Sequence, residues 1–114
     1  MEIPKRVKIG PYWWTVELVD ELTHDADRNK NLFGQCREGE QKIVINKSLN
    51  PDGHFAAFMH ELAHAIDFVM MAGLKEKQID RMATGLAMVL RDNDLWRWRG
   101  ESHPVAKEAG ADES

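Results

Sequence analysis

Residues 55–71 read FAAFMHELAHAIDFVMM, an apolar run broken only by His60, Glu61, His64 and Asp67. A helix that is apolar on nearly every side is normally central and buried. Burying an unpaired polar group costs on the order of a few kcal/mol, so four such groups need partners. At about 100° per residue, His60 and His64 lie one turn apart on one helix face. Two imidazoles at that spacing can grip one metal ion, and a glutamate beside the first can reach water at that ion. The pattern therefore points to a Zn2+ site with Glu61 as the catalytic acid–base residue.

The flanking residues place this run in an α+β chain. NPDG at 50–53 is a helix start: Asn50 can cap it, Pro51 suits the first turn, and Asp52 faces the positive end of the dipole. The helix is expected to reach about Met71, with Gly73 as its stop. A second helix is expected from about Lys75 to about Leu90. Ile79, Met82, Ala83, Leu86 and Leu90 recur there at helical spacing. Residues 6–9, 13–19, 32–37 and 41–46 are rich in β-branched or aromatic residues and read as strands, with 20–31 as a polar loop. A small, mostly antiparallel sheet of three or four strands, packed on the active-site helix and the second helix, is the expected architecture.

Catalytic zinc usually takes three protein ligands and leaves a fourth position to water. Glu76, Asp80 and Asp67 are the acids near enough in sequence to supply the third. Glu76 opens the second helix at the margin of its apolar arc. Asp80 follows one turn later and suits a supporting role, accepting the free ring N–H of a ligating histidine. Asp67 continues the histidine face, but a straight helix carries it away from the ion.

The chain has 114 residues, a size usual for one small domain. Residues 1–92 are expected to form it. The tail at 93–114 is polar, small and charged, and is expected to be partly disordered. The net charge of −4 argues against a nucleic-acid partner. No run is long and uninterrupted enough for a membrane span, and no signal peptide opens the chain. With Cys36 as the only cysteine, a reducing cytoplasm is the expected compartment.

HELAH at 60–64 followed by EKQIDRMATGL at 76–86 resembles the compact zincin metallopeptidases of the ImmA/IrrE type, including short versions found in phages and prophages. Their pattern is HExxH and then E-x-x-A-[ND]-x-F-A. Here the second motif reads Glu76, Ile79, Asp80, Met82 and Ala83, with apolar Ile79 and Met82 in place of alanine and phenylalanine. Only eleven residues separate His64 from Glu76, fewer than in many relatives. The resemblance spans roughly residues 3–92. It implies a minimal, gluzincin-like zincin fold and Zn2+ held by His60, His64 and Glu76. It also implies hydrolysis of peptide bonds with Glu61 as general base, and a protein or peptide substrate that is a regulatory protein in such systems. An extended substrate would add to a sheet edge, LFGQCR or QKIVIN. The alternatives are a non-catalytic protein-binding module with a structural metal, and a hydrolase for small molecules. The oligomeric state is not specified by any residue.

The remaining features read as packing. Of Trp13 and Trp14, one ring should enter the core and the other face outward. Trp96 and Trp98 should pack on the helices. Cys36 should be a small strand residue, and Met59, Met70, Met71, Met82 and Met88 should fill the core. Tyr12, His24, His54 and His103 have no spacing that recommends them to the metal, and His54 should point away from it.

Overall fold

In a computed structural model the chain is α+β, with a four-stranded mixed sheet and two helices. Residues 2–20, 23–24, 27–31 and 33–96 are described, the segments between 23 and 31 by their backbone. Strands β1 (Arg6–Ile9), β2 (Tyr12–Val19), β5 (Gly34–Arg37) and β6 (Lys42–Asn46) line up in the order β1-β2-β6-β5. β1–β2 and β5–β6 are the expected antiparallel neighbours. The central β2–β6 pair is parallel, with Thr15 opposite Lys42 and Val19 opposite Asn46. A parallel pair needs a long crossover, and the stretch between β2 and β6 supplies it. That stretch is not the loop expected from its polarity. Its backbone forms a two-stranded hairpin, β3 (Thr23–His24) with β4 (Asp27–Asn31). The tail from 97 onward, with Trp98 and His103, and the side chain of His24 lie outside the described residues.

Helix α1 (Pro51–Met70) begins as its sequence dictates, with Asn50 Oδ1 accepting from the Gly53 N–H at 2.7 Å. One face of α1 lies on the sheet. Phe55, Phe58 and Ala65 meet Ile9, Trp14, Val16, Ile43 and Ile45 in the core. Trp14 is 1% exposed and Trp13 43%, the division expected of neighbours on a strand. Trp96 closes the edge of this core against Phe55, with ring centroids 5.1 Å apart, and donates Nε1–H to the Glu2 carbonyl at 2.8 Å. α1 ends one step earlier than Gly73 suggests: Met71 itself takes the left-handed conformation (φ 54°), and Gly73 follows with φ 72°.

Helix α2 (Glu76–Asp92) packs on α1 and forms the outer layer. Three expectations fail here. Of the five methionines assigned to the core, Met59 is buried, while Met70, Met71, Met82 and Met88 are exposed. Nor is α1 buried all round, since Ile66 and Phe68 also reach solvent. A helix set between one sheet and one further helix is not enclosed around its whole circumference. α2 is also turned. Its buried residues are Ile79, Ala83 and Ala87, not the arc that included Met82 and Leu86. At about 100° per residue the buried arc is displaced by roughly 40°. The displacement carries Glu76 and Asp80 toward α1.

Candidate metal centre

His60 and His64 stand one turn apart on α1, their ring centroids 5.0 Å from each other. Glu76, in the first turn of α2, reaches both. Its two carboxylate oxygens lie 3.1 Å from His60 Nε2 and 2.9 Å from His64 Nε2. One atom from each of these three residues falls within a span of 4.8 Å. Asp80, one turn further along α2, lies 3.4 Å from His60 Nδ1 through Oδ1. His60 thus has a carboxylate at each ring nitrogen.

The tight turn between the helices makes this juxtaposition possible, and Asp67 builds it. Its Oδ1 accepts the Leu74 N–H at 2.8 Å, while its carbonyl accepts the Ala72 N–H at 3.1 Å. Asp67, weighed from the sequence as a third ligand, is therefore committed to the turn and stands outside the His60–His64–Glu76 group. The Lys75 N–H donates to Gln78 Oε1 at 2.8 Å, fixing the start of α2 so that Glu76 is its first residue. His54 donates its Nε2–H to the Lys47 carbonyl, 3.0 Å away, and takes no part in the group. Tyr12 is an exposed residue at the start of β2.

The donor set fits a divalent cation. Ligands about 2.0–2.1 Å from a tetrahedral zinc ion lie about 3.3 Å from each other. The Glu76–histidine separations of 2.9 and 3.1 Å need only a small expansion to reach that. Two neutral imidazoles and one carboxylate are a ligand set of catalytic zinc sites. Asp80 at Nδ1 would hold His60 in the tautomer whose Nε2 lone pair is free for a metal.

Glu61 lies on the other side of the histidine pair and is 9% exposed. Burial raises its carboxyl pKa above the ordinary value. His60 and His64 pull it down, and Glu76 adds to the rise. A buried acid with a raised pKa beside a candidate metal group is suited to proton transfer. The room for it comes from Gly34 on β5, where an added Cβ would sit 3.0 Å from Glu61 Cγ and 3.1 Å from the Val44 carbonyl. Gly34 was not singled out by motif. The available signal was a glycine inside a strand, which often marks close approach of another group. Cys36, two residues on, also adjoins the core; burial first, then Glu61 and Glu38, push its thiol up to about 12. It is a thiol, not a thiolate, at neutral pH.

Of the two candidate sheet edges, QKIVIN is excluded: β6 is paired on both sides, by β2 and β5. β5 is an outer strand of its sheet and lies against α1. No described helix is long and apolar enough to cross a membrane. Compared with protein-family models, with curated proteins and with solved structures, the chain matches none of them.

Proposed function

We propose that the chain is a zinc-dependent metallopeptidase of the ImmA/IrrE kind, cutting a protein or peptide substrate in a reducing cytoplasm. The observation that carries this reading is the pairing of two groups. Three metal-type donors lie within 4.8 Å of one another, and a buried acid with a raised pKa is the residue next to His60. A purely structural metal has no use for the second group.

His60, His64 and Glu76 would hold the ion, with Asp80 orienting His60. The ion supplies Lewis-acid polarisation of the scissile carbonyl and a lowered pKa for attacking water. Glu61 accepts the proton from that water and delivers it to the departing amine. Among the described strands β5 pairs only with β6, and its outer side would take an extended chain. Such pairing aligns a substrate largely independently of its side chains. The protein target remains a matter of that substrate's sequence, and a regulatory protein is the proposed class.

The test is metal content and peptide cleavage measured together. The purified wild type should bind one zinc ion per chain and cleave an unstructured protein substrate. Glu61→Gln should retain the zinc and lose activity by about 10²–10⁴-fold. Glu61→Gln with undiminished cleavage, or a wild type that takes up no zinc, would refute the proposal.

A further inference from the structure

Gly34 opens β5 where a strand would ordinarily carry a side chain. A glycine weakens a strand, because it loses more chain entropy on folding and brings nothing to pack. The backbone does not call for one here, since the glycines with positive φ are Gly10 and Gly73. Space does. A Cβ at Gly34 would stand 3.0 Å from Glu61 Cγ, 3.1 Å from the Val44 carbonyl oxygen and 3.2 Å from Ile45 Cδ1. These neighbours are not equally free to move. The Val44 oxygen belongs to β6, which is paired on both sides, and Ile45 is a fully buried core residue. Glu61 is the neighbour that can give way, so an added methyl would fall on it.

The main chain of Gly34 faces another way. Asn46 donates its N–H to the Phe33 carbonyl at 2.8 Å, and Gly34 lies opposite Ile45 in the ladder. Hydrogen-bonded and non-hydrogen-bonded pairs alternate along antiparallel strands. Phe33, Gln35 and Arg37 therefore turn their main-chain groups toward β6, and Gly34 and Cys36 turn theirs to the outer side of β5. One residue thus leaves room for Glu61 on the α1 side and presents its N–H and C=O where an extended substrate would pair. Alanine would keep the second property and lose the first.

We infer that Gly34 is a positioning residue: by leaving β5 bare beside α1, it sets where the Glu61 side chain stands relative to the His60–His64–Glu76 group. The kinetic consequence rests on the peptidase reading; the packing consequence does not. A shift at Glu61 Cγ swings the carboxylate through a larger arc, and misplacement on the ångström scale costs about 100-fold in rate. Metal binding should survive such a shift, because none of the three donors meets Gly34.

Cleavage kinetics and thermal melts of four full-length proteins test it: the wild type, Gly34→Ala, Glu61→Ala and the double variant. Gly34→Ala should keep the wild-type zinc content, with kcat lowered about 10–100-fold and KM nearly unchanged. In the metal-free proteins Gly34→Ala should lower the melting temperature of the wild type. It should lower that of Glu61→Ala less, or raise it, because the stem it would strike is gone. If Gly34→Ala alone does not fold, the double variant decides. Folding restored there supports the inference, and a double variant that fails while Glu61→Ala folds overturns it, since the sheet then needs the glycine on its own account. Undiminished kcat in a folded Gly34→Ala, or equal melting losses in both backgrounds, would overturn it too. A wild type that cleaves nothing would instead sink the peptidase reading. The melting comparison needs neither substrate nor zinc and would still decide whether Gly34 seats Glu61.

Discussion

The two sides of α1 meet neighbours of opposite character. Toward the sheet, Phe58 is 0% exposed and Phe55 1%, among Ile43 and Ile45 at 0% each. Toward α2, the His60 and His64 side chains keep 25% and 26% of their surface, and Glu76 keeps 66%. The sheet side is shape-filling and dry. The α2 side is polar and open, and α2 buries only Ile79, Ala83 and Ala87. The comparison teaches that α1 is anchored by one face so that the other can hold groups that do little for folding. A cation bound by His60, His64 and Glu76 would add a tie between the helices that apolar packing supplies sparingly.

The largest expected effect strikes the dry side. Phe58→Ala should cost about 3–5 kcal/mol of stability, from lost transfer energy and the cavity left behind. Denaturant titration measures it, and the folded fraction should bind zinc as the wild type does. A small cost would mean that the sheet side is less tightly packed than its exposure indicates. On the open side, Asp80→Ala should weaken zinc binding about 10–100-fold by releasing the ring of His60. Competition against a chelator reads this directly. The melting temperature of the metal-free protein should hardly change, because Asp80 is exposed. A metal-free protein strongly destabilised by that change would erase the division between the two sides.

The smallest effect concerns Glu61, which sits between them. Its folded pKa is raised by burial, so between the ordinary value of 4.5 and the raised one the folded state holds a proton that the unfolded chain releases. Folding stability of the metal-free protein is therefore full below that window and falls as pH rises through it. Glu61→Gln removes the dependence. At neutral pH the metal-free variant should be more stable than the wild type by about 1 kcal/mol, the scale of an ordinary single substitution. The two should converge in acid. Thermal melts of both proteins across pH check the sign, and parallel curves would show that the Glu61 carboxylate is solvated.

Much of this arrangement is legible along the chain. The strand pairs, the Asn50 cap and the His60–His64 face follow from local rules, because residues within about one turn or one hairpin decide them. The third acid was legible through the resemblance, which names Glu76, and not through local rules alone. Glu76, Asp80 and Asp67 were all within reach by sequence distance, and they were separated by a turn whose geometry Asp67 itself sets. The methionines misled because apolarity predicts a preference for burial, whereas a chain of this size lacks the layers to bury every apolar face. The parallel pairing of β2 with β6 is not legible locally because strand order depends on contacts distant in sequence, and the β3–β4 hairpin is masked by its polar, charged residues, which carry no strand pattern.

By itself, then, the amino-acid order determined the kinds of element and the two-histidine face, since periodicity and capping act over a few residues. Only the tertiary structure decided the rotation of α2 and the seat Gly34 makes for Glu61. Those features depend on how helices and strands settle against one another, and that settlement balances apolar burial against the need of His60 and His64 for a charged neighbour.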